Sequence, residues 1–257
     1  MDKLKVSLCT EMIFGGEPLH DILPIVKEAG YEAIEFWGWG NKDINALERS
    51  MDKTGLALAA FCTKNNVLVD AAERANYISG LKETLPIAKR LGCRTILTTV
   101  GQSLDGVPAE AQTESIIAGL RAAAPLAEEA GVTMVLEPLN ILVDHRGYFL
   151  DRSDAGFNIL KEVGSPNVKL LFDIYHQQIT EGNLIQNITA NIGAIGHFHS
   201  ADVPGRHDIG TGEINYANVT KAIVEAGYKD YFGLEYSPLG DRIESIRNAL
   251  KALHRQP

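Results

Sequence analysis

Four apolar runs in the second half of the chain each end on a group that can bind a cation. VLEPLN ends its run at Glu137, LLFDIYH at Asp173, HFHS at His199 and GLEYS at Glu235. A charge at the end of an apolar run is costly to bury unless it is paired or coordinates a metal. Three carboxylates brought to one place repel each other strongly unless positive charge lies between them. A divalent cation held by Glu137, Asp173, His199 and Glu235 resolves both problems. Three oxygen donors and one imidazole suit Mn²⁺ best, with Mg²⁺ or Co²⁺ also acceptable. By the same reading no cysteine sits at this rim, which argues against a thiolate-bound zinc. The alternative is four separate polar groups, each satisfied by its own hydrogen bonds.

Other residues near these runs could handle a substrate. Five of the seven histidines fall between positions 145 and 207. His176 lies three residues beyond Asp173, where it could donate to a substrate hydroxyl. His197 shares a strand face with His199 and reads equally well as a core histidine. Arg206 and His207, in the loop VPGRHDIGTGE, could hold a substrate carboxylate or hydroxyl. Other features carry weaker signals. Glu35 and Trp37 end an earlier run, and Phe14, Trp39 and Phe61 lie near them as pocket wall or plain core. Lys64 is a poor Schiff-base candidate beside an acidic rim. Gly210-Thr-Gly212 is a weak phosphate signal.

These residues need a scaffold that brings successive strand ends together. Seven times a glycine closes a helical pattern and a short apolar run follows, at Gly30, Gly55, Gly92, Gly131, Gly164, Gly193 and Gly227; an eighth run, LKVSLC, opens the chain. Glycine ends helices readily because it tolerates the left-handed conformation. The runs read as buried strands. Helical patterns cover 17–29, 43–53, 70–91, 108–130, a segment after Asp151 or Ser153, one opening at Asn215 or Tyr216, and 239–254. Such alternation implies parallel strands with crossover helices. Eight units in this length predict an α/β fold, a single (β/α)8 TIM barrel occupying 1–257 as one domain. A doubly wound open sheet is the alternative, but no GxGxxG follows a strand. In a barrel the active site lies at the C-terminal strand ends, where the four candidate ligands fall. The long structureless stretches at 138–151 and 200–214 read as functional loops.

Composition narrows the partners. The 257 residues carry 24 Lys+Arg against 33 Asp+Glu, a net charge of −9. That balance disfavours nucleic acid and anionic membrane surfaces. No apolar run reaches the length that spans a bilayer. The segment MDKLKVSLCTEM does not resemble a secretion signal. Three scattered cysteines, Cys9, Cys62 and Cys93, read as reduced thiols in a cytoplasmic protein.

The motifs AIEFWGW at 33–39, LEPLN at 136–140, GYFLDR at 147–152, FDIYHQQ at 172–178, HFHSADVPGRHDIGTGEINY at 197–216 and LEYSP at 234–238 make the chain resemble the xylose isomerase-like TIM barrel superfamily. Within it the chain looks most like the hydroxypyruvate isomerase family. The resemblance implies that Glu137, Asp173, His199 and Glu235 are metal ligands, that Glu137 and Glu235 also move the proton, and that His176 and Arg206 contact substrate. One departure is that some hydroxypyruvate isomerases carry glutamine in place of His199, whereas ketose 3-epimerases are closer to the histidine. The expected chemistry is aldose–ketose isomerisation of a small hydroxy-carbonyl acid or sugar through an enediolate. The alternatives are a ketose 3-epimerase acting on a free C4–C6 sugar and a non-catalytic sugar-binding barrel. Such barrels often form homo-oligomers.

Overall fold

The computed structural model describes residues 4–254, and the apolar runs become eight parallel strands. They are β1 (Lys5–Cys9), β2 (Ala33–Phe36), β3 (Ala57–Cys62), β4 (Thr95–Thr98), β5 (Thr133–Leu136), β6 (Val168–Asp173), β7 (Ile195–Ser200) and β8 (Tyr231–Leu234). Each pairs with the next, and β8 pairs back onto β1, closing the barrel. Among the described residues ten α-helices surround it: α1 (Thr10–Phe14), α2 (Leu19–Glu28), α3 (Ile44–Thr54), α4 (Arg74–Arg90), α5 (Ala109–Ala130), α6 (Ser153–Val163), α7 (Ile174–Thr180), α8 (Leu184–Asn191), α9 (Tyr216–Glu225) and α10 (Arg242–His254). This is a (β/α)8 TIM barrel. Among the described residues no helix is long and apolar enough to cross a membrane.

The glycine rhythm has a physical basis. Gly55, Gly131 and Gly164 close α3, α5 and α6 in the left-handed conformation. Gly193 does not fit the pattern: it sits inside a short 3₁₀ turn, Ile192–Ala194, without a positive φ. Of the two candidate openings, Tyr216 is the first residue of α9, and Asn215 caps the helix by accepting from the Asn218 amide. Arg152, rather than Asp151 or Ser153, precedes α6, and it makes no side-chain cap. Two helices, α1 and α7, had no sequence signal, and α8 was implied only as the pattern that Gly193 closes, without bounds. α1 is a single turn, and α7 and α8 are rich in Gln, Thr and Asn.

Strand side chains alternate, so one set faces the helices and the other fills the barrel. Val6, Leu8, Ile34, Phe36, Met134, Leu136, Phe198, Phe232 and Leu234 belong to the large core between sheet and helices. Inside, Ala60, Leu97, Val135 and Leu171 form a separate apolar cluster, contributed by β3, β4, β5 and β6. The interior positions of β1, β2, β7 and β8 differ: Ser7, Glu35, His197, His199 and Gly233. The interior therefore has an apolar half and a polar half, and the polar half straddles the closing seam.

The long loops are held by specific contacts. Leu139 N donates to Leu150 O across the base of the 138–151 loop. Asn140 Oδ1 accepts from the Val143 and Asp144 amides, turning the chain there. Buried Tyr148 accepts from Val100 N and donates to Glu137 O, both at 2.9 Å. Tyr148→Phe would strand two buried backbone groups. The expected cost is about 1–3 kcal/mol, measured as a lowered midpoint in urea unfolding. An unchanged midpoint would show that the bridge contributes nothing.

Candidate metal centre

Strand register brings the ligands level. Asp173 on β6 pairs with His199 on β7, and His199 pairs with Gly233 on β8. Glu137 and Glu235 extend β5 and β8 by one residue, with their amides donating to Thr98 O and Ser200 O as a strand residue would. Glu137, Asp173, His199 and Glu235 are all buried, and each offers an atom within 4.8 Å of the others'. His199 Nδ1 lies 3.5 Å from Glu137 Oε1 and 3.3 Å from Glu235 Oε2. The four residues expected from strand ends thus converge on one point.

Two observations show that this set fits a cation. His199 Nδ1 is buried, faces the carboxylates and has no hydrogen-bond partner. Its other nitrogen, Nε2, donates to Glu35 Oε2 at 2.8 Å. Burial opposes charging the ring, but Glu235 and Glu35 raise its pKa well above the usual range. Nδ1 therefore offers a lone pair when a cation takes the place of its proton. The donor set of one imidazole and three carboxylates matches a hard or borderline divalent ion.

The electrostatics agree with a crowded acidic site. Burial would raise the Glu235 pKa, but Arg206 and His199 outweigh it and hold the carboxyl well below its usual range. Burial raises the pKa of Asp173, partly offset by Arg206 and His199. For Glu35 burial opposes ionisation, yet His197 and His199 bring its pKa down to about 2. Burial and the nearby Arg206 push the His176 pKa down to about 3, so this ring is neutral.

The substrate candidates separate into two groups. His176, in the first turn of α7, is fully buried. Its Nδ1 accepts from Asn140 Nδ2 at 2.7 Å, so the proton lies on Nε2. That Nε2 has no hydrogen-bond partner and sits 3.5 Å from Asp173 Oδ2, a donor aimed into the site. Arg206 reaches the same site: its guanidinium donates to Glu235 Oε2, lies 3.5 Å from Asp173 Oδ2 and stacks over the Tyr175 ring. Its backbone takes φ 59°, a conformation rare for a long side chain. His207 points elsewhere. Its Nδ1 donates to Ser237 O at 2.8 Å, bracing the loop against the chain after β8.

Asp202 builds the loop that carries Arg206. Its Oδ1 accepts from Val203 and Ile214 amides and its Oδ2 from Gly210 N. Gly210-Thr-Gly212 therefore serves this turn, and Gly212 is tightly enclosed. A Cβ at Gly212 would lie 2.0 Å from Val203 O and 2.6 Å from Asp202 Oδ1. Gly212→Ala should shift the loop, destabilise the fold by about 1–3 kcal/mol and reduce turnover through displacement of Arg206. Urea unfolding and a rate assay would detect both effects, and an alanine variant equal to wild type in both would refute this role.

Glu35, Trp37 and Cys9 also contribute to the site. Glu35 has the signature that singled out Glu137, a carboxylate after an apolar run, yet it stood outside the four consecutive strand ends. It joins His197 and His199 in a buried cluster. Trp37 Nε1 donates to Glu235 Oε1 at 2.6 Å although the residue as a whole is 43% exposed. It also lines a cavity of about 560 Å³ shared with Glu11, Leu19, His20, Asn41 and Lys42. The expectation that no cysteine sits at the rim needs correction. Cys9 ends β1, and its thiol lies 3.7 Å from Glu235 Oε1. Burial first, then Glu235, pushes its pKa well up, so it is a neutral thiol rather than a thiolate ligand.

The comparisons with known proteins agree with this geometry. The profile of the xylose isomerase-like TIM barrel family matches residues 23–256. A 2-oxo-tetronate isomerase of Cupriavidus necator is 32% identical, over 81% of this chain and 83% of the relative. A hydroxypyruvate isomerase of Escherichia coli is 28% identical, over 91% and 94%. A crystal structure titled AP endonuclease, family 2, from Brucella melitensis superposes with a TM-score of 0.90 at 26% identity, covering 95% of this chain and 96% of that one. A match spanning nearly the whole barrel, over the strand ends that carry the acidic cluster, makes this chain a member of the xylose isomerase-like TIM barrel family.

Proposed function

We propose that the protein is a metal-dependent aldose–ketose isomerase acting on a small hydroxy-carbonyl acid or sugar, of the kind named for its hydroxypyruvate and 2-oxo-tetronate isomerase relatives. The observation that carries this reading is the buried cluster of Glu137, Asp173, His199 and Glu235. Glu137 on β5 and Glu235 on β8 bracket Asp173 and His199 along the arc of four strands. Two carboxylates can then approach a bound carbon from different sides.

A divalent ion held by these four residues, Mn²⁺ on the donor chemistry, supplies a Lewis acid that polarises the substrate carbonyl. The chain's own groups do the rest. One glutamate removes the proton from the carbon beside the carbonyl. The other, or the same one, returns it to the neighbouring carbon, while the hydroxyl proton passes to the former carbonyl oxygen, so that carbonyl and hydroxyl exchange places. Each positioned acid or base contributes on the order of 10²–10⁴-fold. The unpartnered Nε2–H of His176 and the Arg206 guanidinium are placed to hold substrate oxygens and to stabilise the charge of the enediolate. His207 helps indirectly, by bracing the Arg206 loop.

One observation favours a second reading, ketose 3-epimerisation: the third of the four ligand positions, on β7, holds His199. In that reaction the proton returns to the same carbon from its opposite face. The endonuclease title of the Brucella structure is a poorer guide to this chain. A net charge of −9 and a ligand set with one histidine do not suit a zinc-cluster nuclease gripping DNA phosphates.

The test is incubation of the Mn²⁺-loaded protein in D₂O with hydroxypyruvate and a panel of C4–C6 ketoses and 2-oxo acids, followed by NMR. Deuterium on the carbon beside the carbonyl, together with an aldose–ketose product, supports isomerisation. Exchange with inversion at one carbon supports epimerisation. No exchange with any member of the panel would sink both readings.

A further inference from the structure

His199 can ligate a cation only if the ring nitrogen facing the carboxylates carries no proton. That nitrogen is Nδ1, 3.5 Å from Glu137 Oε1 and 3.3 Å from Glu235 Oε2. What fixes its state lies on the opposite edge of the ring. Nε2 stands 2.8 Å from Glu35 Oε2. A carboxylate oxygen only accepts, so Nε2 carries a proton, and when the ring is neutral the lone pair is therefore on Nδ1.

Glu35 comes from β2, and β1 and β8 lie between β2 and β7 in the ring, so its carboxylate reaches across the barrel. Its two oxygens are already divided among donors. Oε1 accepts from Ser7 Oγ and, at 3.0 Å, from His197 Nε2. Oε2 is left for His199. Gly233 makes the arrangement possible: a Cβ there would stand 2.6 Å from Glu35 Oε1 and 2.8 Å from His199 Cδ2. Packing alone gives no reason for this. An apolar side chain at position 35 would be cheaper to bury than a carboxylate.

We propose that Glu35 is the positioning residue of the metal centre, holding His199 in the Nε2-protonated tautomer and in the orientation that presents Nδ1 to the cation. Ser7 and His197 hold Glu35 in turn, and Gly233 provides the space. This rests on the metal-binding reading of Glu137, Asp173, His199 and Glu235. Glu35→Gln is close in shape but puts an amide N–H₂ against a histidine N–H. One ring must then turn or move its proton to the other nitrogen.

The experiment titrates Mn²⁺ into wild type, Glu35→Gln and Glu35→Asp, following free Mn²⁺ by electron paramagnetic resonance and folding by circular dichroism. In the ¹⁵N spectrum of the Zn²⁺-loaded wild type, His199 should show Nδ1 on the metal and the proton on Nε2. Folded Glu35→Gln should bind Mn²⁺ about 10–100-fold more weakly, with partial recovery in Glu35→Asp. Mn²⁺ affinity within twofold of wild type in folded Glu35→Gln overturns the inference and leaves the metal reading intact. The ¹⁵N measurement decides the matter without a variant, since ligation through Nε2 also overturns it. A wild type that takes up no stoichiometric Mn²⁺ overturns the metal reading, and this inference with it.

Discussion

Glu235→Gln is expected to keep the barrel and lose more than about a hundredfold in turnover. The replacement preserves shape. The amide oxygen can still accept from Trp37 Nε1, the 2.6 Å bond that fixes one side of the group. The other side changes character. Oε2 accepts from Arg206 and lies 3.3 Å from His199 Nδ1. An amide there turns N–H groups toward a guanidinium and toward a cation. It can neither take up a proton nor offer an anionic oxygen. The native carboxylate is held ionised by Arg206 and His199 despite its burial, which is the state a base requires. Turnover measured at saturating Mn²⁺ separates proton transfer from weakened metal binding, and C–H exchange in D₂O should fall in step with it. Unchanged circular dichroism would show that the fold survives. Near-normal turnover would remove Glu235 from the catalytic assignment.

Asp173→Asn should abolish stoichiometric Mn²⁺ binding and take activity to background while leaving the metal-free protein at least as stable. The two oxygens of Asp173 have separate tasks. Oδ1 caps α7, accepting from Tyr175 N at 2.7 Å and His176 N at 3.1 Å. Asparagine keeps that oxygen, so α7 and its His176 should stay in place. Oδ2 faces the cluster, 3.5 Å from both Arg206 Nη2 and His176 Nε2. Losing the charge there removes a ligand. It also relieves a buried carboxylate that lies close to Glu235, so the thermal midpoint without metal should hold or rise. Metal analysis after dialysis, a rate assay and thermal unfolding test the three parts. Prolonged chelation of wild type should reproduce the loss of activity. An Asp173→Asn protein that retains one tightly held Mn²⁺ and full turnover would overturn the assignment.

The ligand set was readable in sequence because Glu137, Asp173, His199 and Glu235 share one local signature. Each stands where an apolar strand stops, and burial there makes no sense without a partner. The barrel was readable for a related reason: helix-ending glycines and short apolar runs recur along the whole chain. Glu35 carries the same signature and still went unassigned. Its partners Ser7, His197 and His199 lie far away in sequence, and only the register of a closed ring puts them side by side. Cys9 is hidden because a cysteine that ends an apolar run reads as one more apolar residue. Trp37 looked like pocket wall, since an indole N–H leaves no trace in a hydrophobic pattern. The roles of Arg206 and His207 were coupled in sequence and split in space. Neighbours in a tight loop point in different directions, and only one of them reaches the carboxylates.

The polar half of the barrel interior lies where the ring closes, and this has a consequence for assembly. The contacts that make the centre join the first strands of the barrel to its last: Trp37 meets Glu235 across 198 positions, Cys9 meets Glu235 across 226, and Glu35 meets His199 across 164. Contacts of such separation carry the largest chain-closure entropy and form slowly. The nascent chain therefore cannot build this centre until its last strand has been made and docked. A cation bound by Glu137, Asp173, His199 and Glu235 would act as a clasp on the finished ring. It would hold native molecules shut without hastening the search that produces them.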